Sequence, residues 1–98
     1  MFEIRQTKEF RDWFVRLSDP VVRTRIQARI DRVGLGHFGD AKPVGEGISE
    51  IRIHINPGYR VYFIRREGRL ILLLCAGDKS LQRRDIARAK LLARDIED

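Results

Sequence analysis

At 98 residues the chain is shorter than the roughly 150 residues that serve as a prior for one domain, so a single domain over residues 1–98 is expected. Apolar residues make up 43% and charged ones 35%, which excludes a globally disordered chain. Twenty Lys and Arg against fourteen Asp and Glu give a net charge of +6, a balance that favours a polyanionic partner, either nucleic acid or an acidic protein.

A lone cysteine, Cys75, forms no internal disulfide, and nothing else suggests an oxidising compartment. His37 and His54 together with Cys75 do not make a zinc-type ligand set, so neither a metal nor another cofactor is expected. Met1 to Arg5 is charged where a signal peptide carries an apolar run. The longest apolar run, Leu70 to Ala76, is too short to span a bilayer. A cytoplasmic protein is the expectation.

Phe2 to Gln6 alternates as a short strand, and Thr7 suits the N-cap of a following helix. Phe10, Trp13, Phe14 and Leu17 fall at i, i+3, i+4 and i+7, one stripe of an amphipathic helix. On that stripe Trp13 reads as core rather than as a stacking platform for a base. Pro20 starts a second helix at its first position, and Val22, Ile26, Ile30 and Val33 form its apolar stripe up to Gly34. Gly34 to Gly47 is glycine-rich and is expected to be a loop. Ile48 to Ile55 and Tyr59 to Arg66 alternate as strands around the turn residues Asn56-Pro57-Gly58. Glu67-Gly68 suits a tight hairpin turn into Leu70 to Ala76, whose two apolar faces mark an interior strand. A third helix runs from Leu81 to the C-terminus, with Ile86, Ala89, Ala93 and Ile96 on one side. The order β-α-α-β-β-β-α implies an α+β fold, a helical hairpin packed on a curved, mainly antiparallel sheet.

A three-residue loop at Asn56-Pro57-Gly58 sets Ile55 opposite Tyr59, Ile53 opposite Val61 and Ile51 opposite Phe63 on the covered face. The same register sets His54 opposite Arg60 and Arg52 opposite Tyr62 on the other face, beside Glu50. A two-residue turn at Glu67-Gly68 then sends Leu72 and Leu74 to the core, and Ile71, Leu73 and Cys75 to the side of Arg60 and Tyr62. One face is oily, and the other gathers guanidinium, imidazole, phenol and carboxylate groups. Cross-strand neighbours lie about 5 Å apart, close enough to converge on one phosphate.

Gly77-Asp78-Lys79-Ser80 joins the last strand to the third helix, capped by Asp78 or Ser80, and sets Lys79 near a helix N-terminus that attracts anions. No Walker A pattern surrounds it. Arg25, Arg29 and Arg32, with Arg83, Arg84, Arg88 and Arg94, read as solubility and general attraction to polyanions.

Three motifs run Gly45-Glu46-Gly47-Ile48-Ser49-Glu50-Ile51-Arg52, then Pro57-Gly58-Tyr59-Arg60-Val61-Tyr62, then Gly77-Asp78-Lys79-Ser80 with Gln82 and Asp85-Ile86. Together they resemble the addiction-module killer proteins, HigB-like members of the RelE/ParE toxin superfamily, over essentially the whole chain. That resemblance implies a type II toxin partnered by an antitoxin, a small helix-turn-helix protein from the adjacent gene. It also implies a ribosome-dependent mRNA endonuclease in which a ribose 2′-OH attacks the adjacent phosphate without a metal. On this reading Arg60 and Lys79 stabilise the developing phosphorane charge and Arg52 positions a phosphate. His54, Tyr62 and Glu50 are the proton-transfer candidates, and Gln82 binds substrate or supports the helix start. Many ribosome-dependent relatives carry a Tyr or His near the C-terminus, whereas Leu91 to Asp98 holds neither. The alternative is therefore a ParE-like inhibitor of DNA gyrase without nuclease activity.

Overall fold

The computed structural model describes residues 1–96, and Glu97 and Asp98, the end of the expected third helix, lie outside the described residues. Its elements are β1 (Glu3–Gln6), α1 (Lys8–Val15), α2 (Pro20–Gly34), β2 (Ala41–Gly45), β3 (Ile48–Ile53), β4 (Tyr59–Arg66), β5 (Leu70–Asp78) and α3 (Gln82–Ile96). A 3₁₀ turn, Lys79–Leu81, leads into α3. The fold is α+β, with a five-stranded sheet in the order β1-β5-β4-β3-β2. The β1–β5 pair is parallel, and β5–β4, β4–β3 and β3–β2 are antiparallel.

Local chemistry sets the helix boundaries. The Thr7 hydroxyl accepts from the Phe10 N–H at 3.0 Å and donates to the Leu74 carbonyl at 2.7 Å, so one side chain caps α1 and ties it to β5. Asp19 caps α2 through the Val21 N–H, with Pro20 in the first turn. The predicted stripes are buried: Phe10 from α1, and Val22, Ile26, Ile30 and Val33 from α2. Trp13 packs against this core and meets Tyr59 edge-on at 6.1 Å.

Several expectations need correction. Residues 34–47 are not all loop, because Ala41–Gly45 forms an edge strand paired to β3. Proline is tolerated on such an edge, and Glu46-Gly47 turns the chain with positive φ at both residues (55° and 80°). Next, the β3–β4 connection is longer than expected. Ile53 pairs with Tyr59, Arg52 with Arg60 and Glu50 with Tyr62, so His54 and Ile55 leave the ladder. Ile55 becomes a turn residue whose carbonyl accepts from the Gly58 N–H. This slip moves each pair by an even number of residues, so the face of every β3 and β4 side chain is retained.

The third correction inverts part of β5. Arg66 pairs with Leu70, so the turn holds three residues rather than two, and Arg69 takes a φ of 63° within it. Ile71 and Leu73 therefore join the core beneath α1 and α2, whereas Leu72 and Leu74 face α3. A bulge at Leu74 lets Tyr62 pair with Cys75 while Phe63 pairs with Leu73. The charged face is also not fully open. α3 lays Ala89 and Ala93 over Ile48, Tyr62, Ile64, Leu74 and Cys75, with Ile86 and Leu92 packed beside them. Ile96, expected on that buried stripe, is 42% exposed.

The approach of α3 to the sheet depends on Gly77. A Cβ there would collide with Asp85 Oδ2 and lie 3.2 Å from its Cγ. Burial pushes the Asp85 carboxyl above the ordinary carboxylate range despite the opposing pull of Arg84. Gly77→Ala is expected to cost about 1–3 kcal/mol by overpacking, or roughly 4–8 °C of melting temperature per kcal/mol. Adding Asp85→Ala removes the clashing group. The double variant should therefore melt well above Gly77→Ala, and additive losses by circular dichroism would contradict this packing. No helix among the described residues is long and apolar enough to cross a membrane.

Candidate functional site

The end of the sheet where β3 and β5 finish and β4 begins opens into a cleft of about 270 Å³. It is lined by Arg52 and Ile53 from β3, residues 54–58 of the connection, Tyr59 and Arg60 from β4, and Lys79. Four of the seven predicted site residues thus share one cleft: Arg52, His54, Arg60 and Lys79. The other three, Glu50, Tyr62 and Gln82, lie inward of it.

Glu50 organises the cations from below. Its side chain is 1% exposed, and Oε2 lies 3.3 Å from an Arg60 terminal nitrogen and 3.5 Å from Arg52 Nε. The Gln82 amide, from the first turn of α3, donates to Oε1 at 2.7 Å and to Oε2 at 3.1 Å. Arg52 and Arg60 are register partners on adjacent strands, so one buried carboxylate holds both guanidinium groups. Two cations against one anion leave this cluster with net positive charge at the cleft. Glu50 and Gln82 are therefore engaged with the protein rather than presented to a ligand.

Lys79 arrives from the other side. Asp78 caps the 3₁₀ turn by accepting from the Ser80 N–H at 2.9 Å, and the Ser80 hydroxyl first, then this N–H, hold the Asp78 carboxyl below its usual range. The Lys79 N–H donates to the Gly58 carbonyl at 2.9 Å, and the lysine stem runs 3.1–3.7 Å from where a Gly58 Cβ would stand. Gly58, with a φ of 94°, is needed both for the turn and for this approach. Among the described residues the Lys79 ammonium makes no ion pair.

His54 stands at the rim, 74% exposed, with Nε2 2.6 Å from Asp40 Oδ2. Tyr62 is elsewhere. It is fully buried beneath α3, and its hydroxyl has no hydrogen-bond partner among the described residues. Burial, then the charges of Glu50, Asp85 and Cys75, raise its pKa far above the ordinary tyrosine value. A hydroxyl so placed does not reach a ligand in the cleft, which corrects the expectation that Tyr62 stands ready for proton transfer. Its register partner Cys75 is also buried, with its thiol pushed up to about 12, first by burial and then by Asp85.

Sequence reasoning missed two contributors. Asp40 lies 14 residues before His54, and no local pattern links them. Arg29 is a structural clamp rather than a general attractor of polyanions. Its guanidinium donates to the carbonyls of Phe38 at 3.2 Å, Arg52 at 3.4 Å and Asp40 at 3.5 Å, fixing α2 to the start of β2 and the end of β3. Burial lowers its pKa.

A cationic cleft of this kind, at the open end of a mixed sheet, invites comparison with known proteins. A chain of the intact Escherichia coli RelBE toxin–antitoxin complex matches with a TM-score of 0.62 and 11% identity, covering 80% of this chain and 96% of that one. The fold is therefore RelE-like. An uncharacterized protein of Haemophilus influenzae is 46% identical over 94 residues, which span 96% of this chain and 95% of the relative. Residues 12–95 match the family of phage-derived Gp49-like proteins, DUF891, and this chain belongs to that family.

Proposed function

We propose that this protein is the toxin of a type II toxin–antitoxin module, HigB-like within the RelE/ParE superfamily, and that it cleaves mRNA on the ribosome. One observation carries the reading: Arg52 and Arg60, locked on a buried carboxylate, share a cleft with His54 and with Lys79, which makes no ion pair among the described residues.

The chemistry follows from what such a cleft does to a phosphodiester. Arg52 and Arg60 present guanidinium donors already oriented by Glu50, so holding a phosphate there requires little reorganisation. When the ribose 2′-oxygen attacks the adjacent phosphorus, negative charge grows on the equatorial oxygens, where Arg60 and Lys79 meet it. The P–O5′ bond breaks, leaving a 2′,3′-cyclic phosphate and a 5′-hydroxyl. His54 is the one imidazole lining the cleft and takes the proton-transfer role. Glu50 and Gln82 act as positioning residues, and no metal enters these steps. The partner that silences the toxin is a small helix-turn-helix antitoxin encoded by the adjacent gene, and the setting is cytoplasmic.

The burial of Tyr62 favours a second reading, in which the same cations dock on DNA gyrase without cutting RNA. Both readings make a toxin, and a first experiment tests that shared step. Induced expression is expected to arrest growth, and co-expression of the neighbouring gene to restore it. Normal growth at high, verified levels of folded protein would sink both.

A further inference from the structure

The pairing of Asp40 with His54 joins a carboxylate on a braced segment to an imidazole of the cleft wall. The two residues sit on different segments, just before β2 and just after β3, and meet at 2.6 Å between Asp40 Oδ2 and His54 Nε2. The backbone of Asp40 is anchored independently of its side chain. Its carbonyl accepts from the Arg52 N–H at 2.9 Å and from Arg29 at 3.5 Å. The carboxylate is thus carried by a braced piece of backbone, while the imidazole belongs to the wall of the cationic cleft. The hydrogen bond to His54 is the first cause holding the Asp40 carboxyl below its usual range, so it stays ionised and acts as an acceptor.

An ionised carboxylate at that distance requires a proton on Nε2. The neutral imidazole is then held as the Nε2–H tautomer, with its lone pair on Nδ1. We infer that Asp40 is a positioning residue: it fixes the tautomer and orientation of His54 so that Nδ1 accepts the ribose 2′-OH proton during RNA cleavage. This inference rests on the nuclease reading above. As the O2′–H proton moves to Nδ1, the O2′–P bond forms and the P–O5′ bond breaks, and the departing 5′-oxygen takes a proton from water. The imidazolium left behind faces the Asp40 carboxylate, which stabilises its new charge as an aspartate does beside a catalytic histidine.

Asp40→Asn and Asp40→Ala leave the anchoring carbonyl in place and are expected to melt within a few degrees of the wild type. Two readouts separate positioning from simple structural support. Ring ¹⁵N shifts at neutral pH should report the Nε2–H tautomer of His54 in the wild type and a tautomer mixture in Asp40→Ala. Cleavage of message on translating ribosomes should show kcat falling at least tenfold in both variants with KM nearly unchanged, while Asp40→Glu recovers part of the loss. An unchanged tautomer, or an unchanged kcat in a wild-type background that does cut RNA, overturns the inference and leaves the nuclease reading standing. If the wild type shows the fixed tautomer but cuts no message, the nuclease reading fails and the assigned role fails with it.

Discussion

Glu50→Ala is expected to lower the melting temperature by roughly 12–24 °C, the largest stability effect of any single side chain at the cleft. Removing one partner of a buried ion pair costs about 3–5 kcal/mol, because the remaining charge stays desolvated and unpaired. The lower end, about 3 kcal/mol, applies here because the Arg52 and Arg60 side chains keep 26% and 17% of their surface exposed. A domain of this size loses about 4–8 °C per kcal/mol. The effect reaches three neighbours together, since Arg52, Arg60 and Gln82 all converge on the one carboxylate. Glu50→Gln keeps the shape and one acceptor oxygen, so it should lose clearly less. Thermal melts of the three proteins at one pH and salt concentration decide the matter, and equal midpoints would mean that Glu50 does not anchor the two arginines.

Local signals carried most of the architecture. Thr7, Asp19 and Pro20 mark helix starts by hydrogen bonding and ring geometry within a few residues, and the stripes of α1 and α2 repeat at the helical period. These are short-range facts, and the structure keeps them. The face assignment of β3 and β4 also survived, because a two-residue slip preserves side-chain alternation. The β5 assignment did not survive: one extra residue in the Arg66–Leu70 turn reversed it, and no apolar pattern warns of that when both faces of the strand are apolar. The edge strand β2 was legible in principle, since Glu46-Gly47 between Val44 and Ile48 is hairpin chemistry that the surrounding glycines obscured.

The candidate site divides the same way. Arg52, Arg60 and Lys79 stand where strand alternation and the helix start put them. Tyr62 lies on the expected face but is hidden, because α3 folds back over that face. The docking of α3 depends on Gly77 receiving Asp85 across the turn into the helix and on Gln82 reaching Glu50, 32 residues earlier in the chain, and neither contact follows a repeat in the sequence. Asp40 was invisible for a similar reason: its partner is set by the meeting of two loops rather than by any repeat.

The most direct test of the nuclease proposal compares the wild type with Lys79→Ala on translating ribosomes, with message ends mapped to the nucleotide. Lys79 is exposed, makes no ion pair among the described residues and lines the cleft, so its removal should leave the fold intact. Losing one donor to the transition-state charge typically slows such reactions by about 10²–10³-fold. The expected result is codon-phased cuts ending in a 2′,3′-cyclic phosphate with wild-type protein, slowed by that factor in Lys79→Ala at unchanged melting temperature. Intact message in the presence of folded wild-type protein, with gyrase supercoiling stalled in a parallel assay, would contradict it.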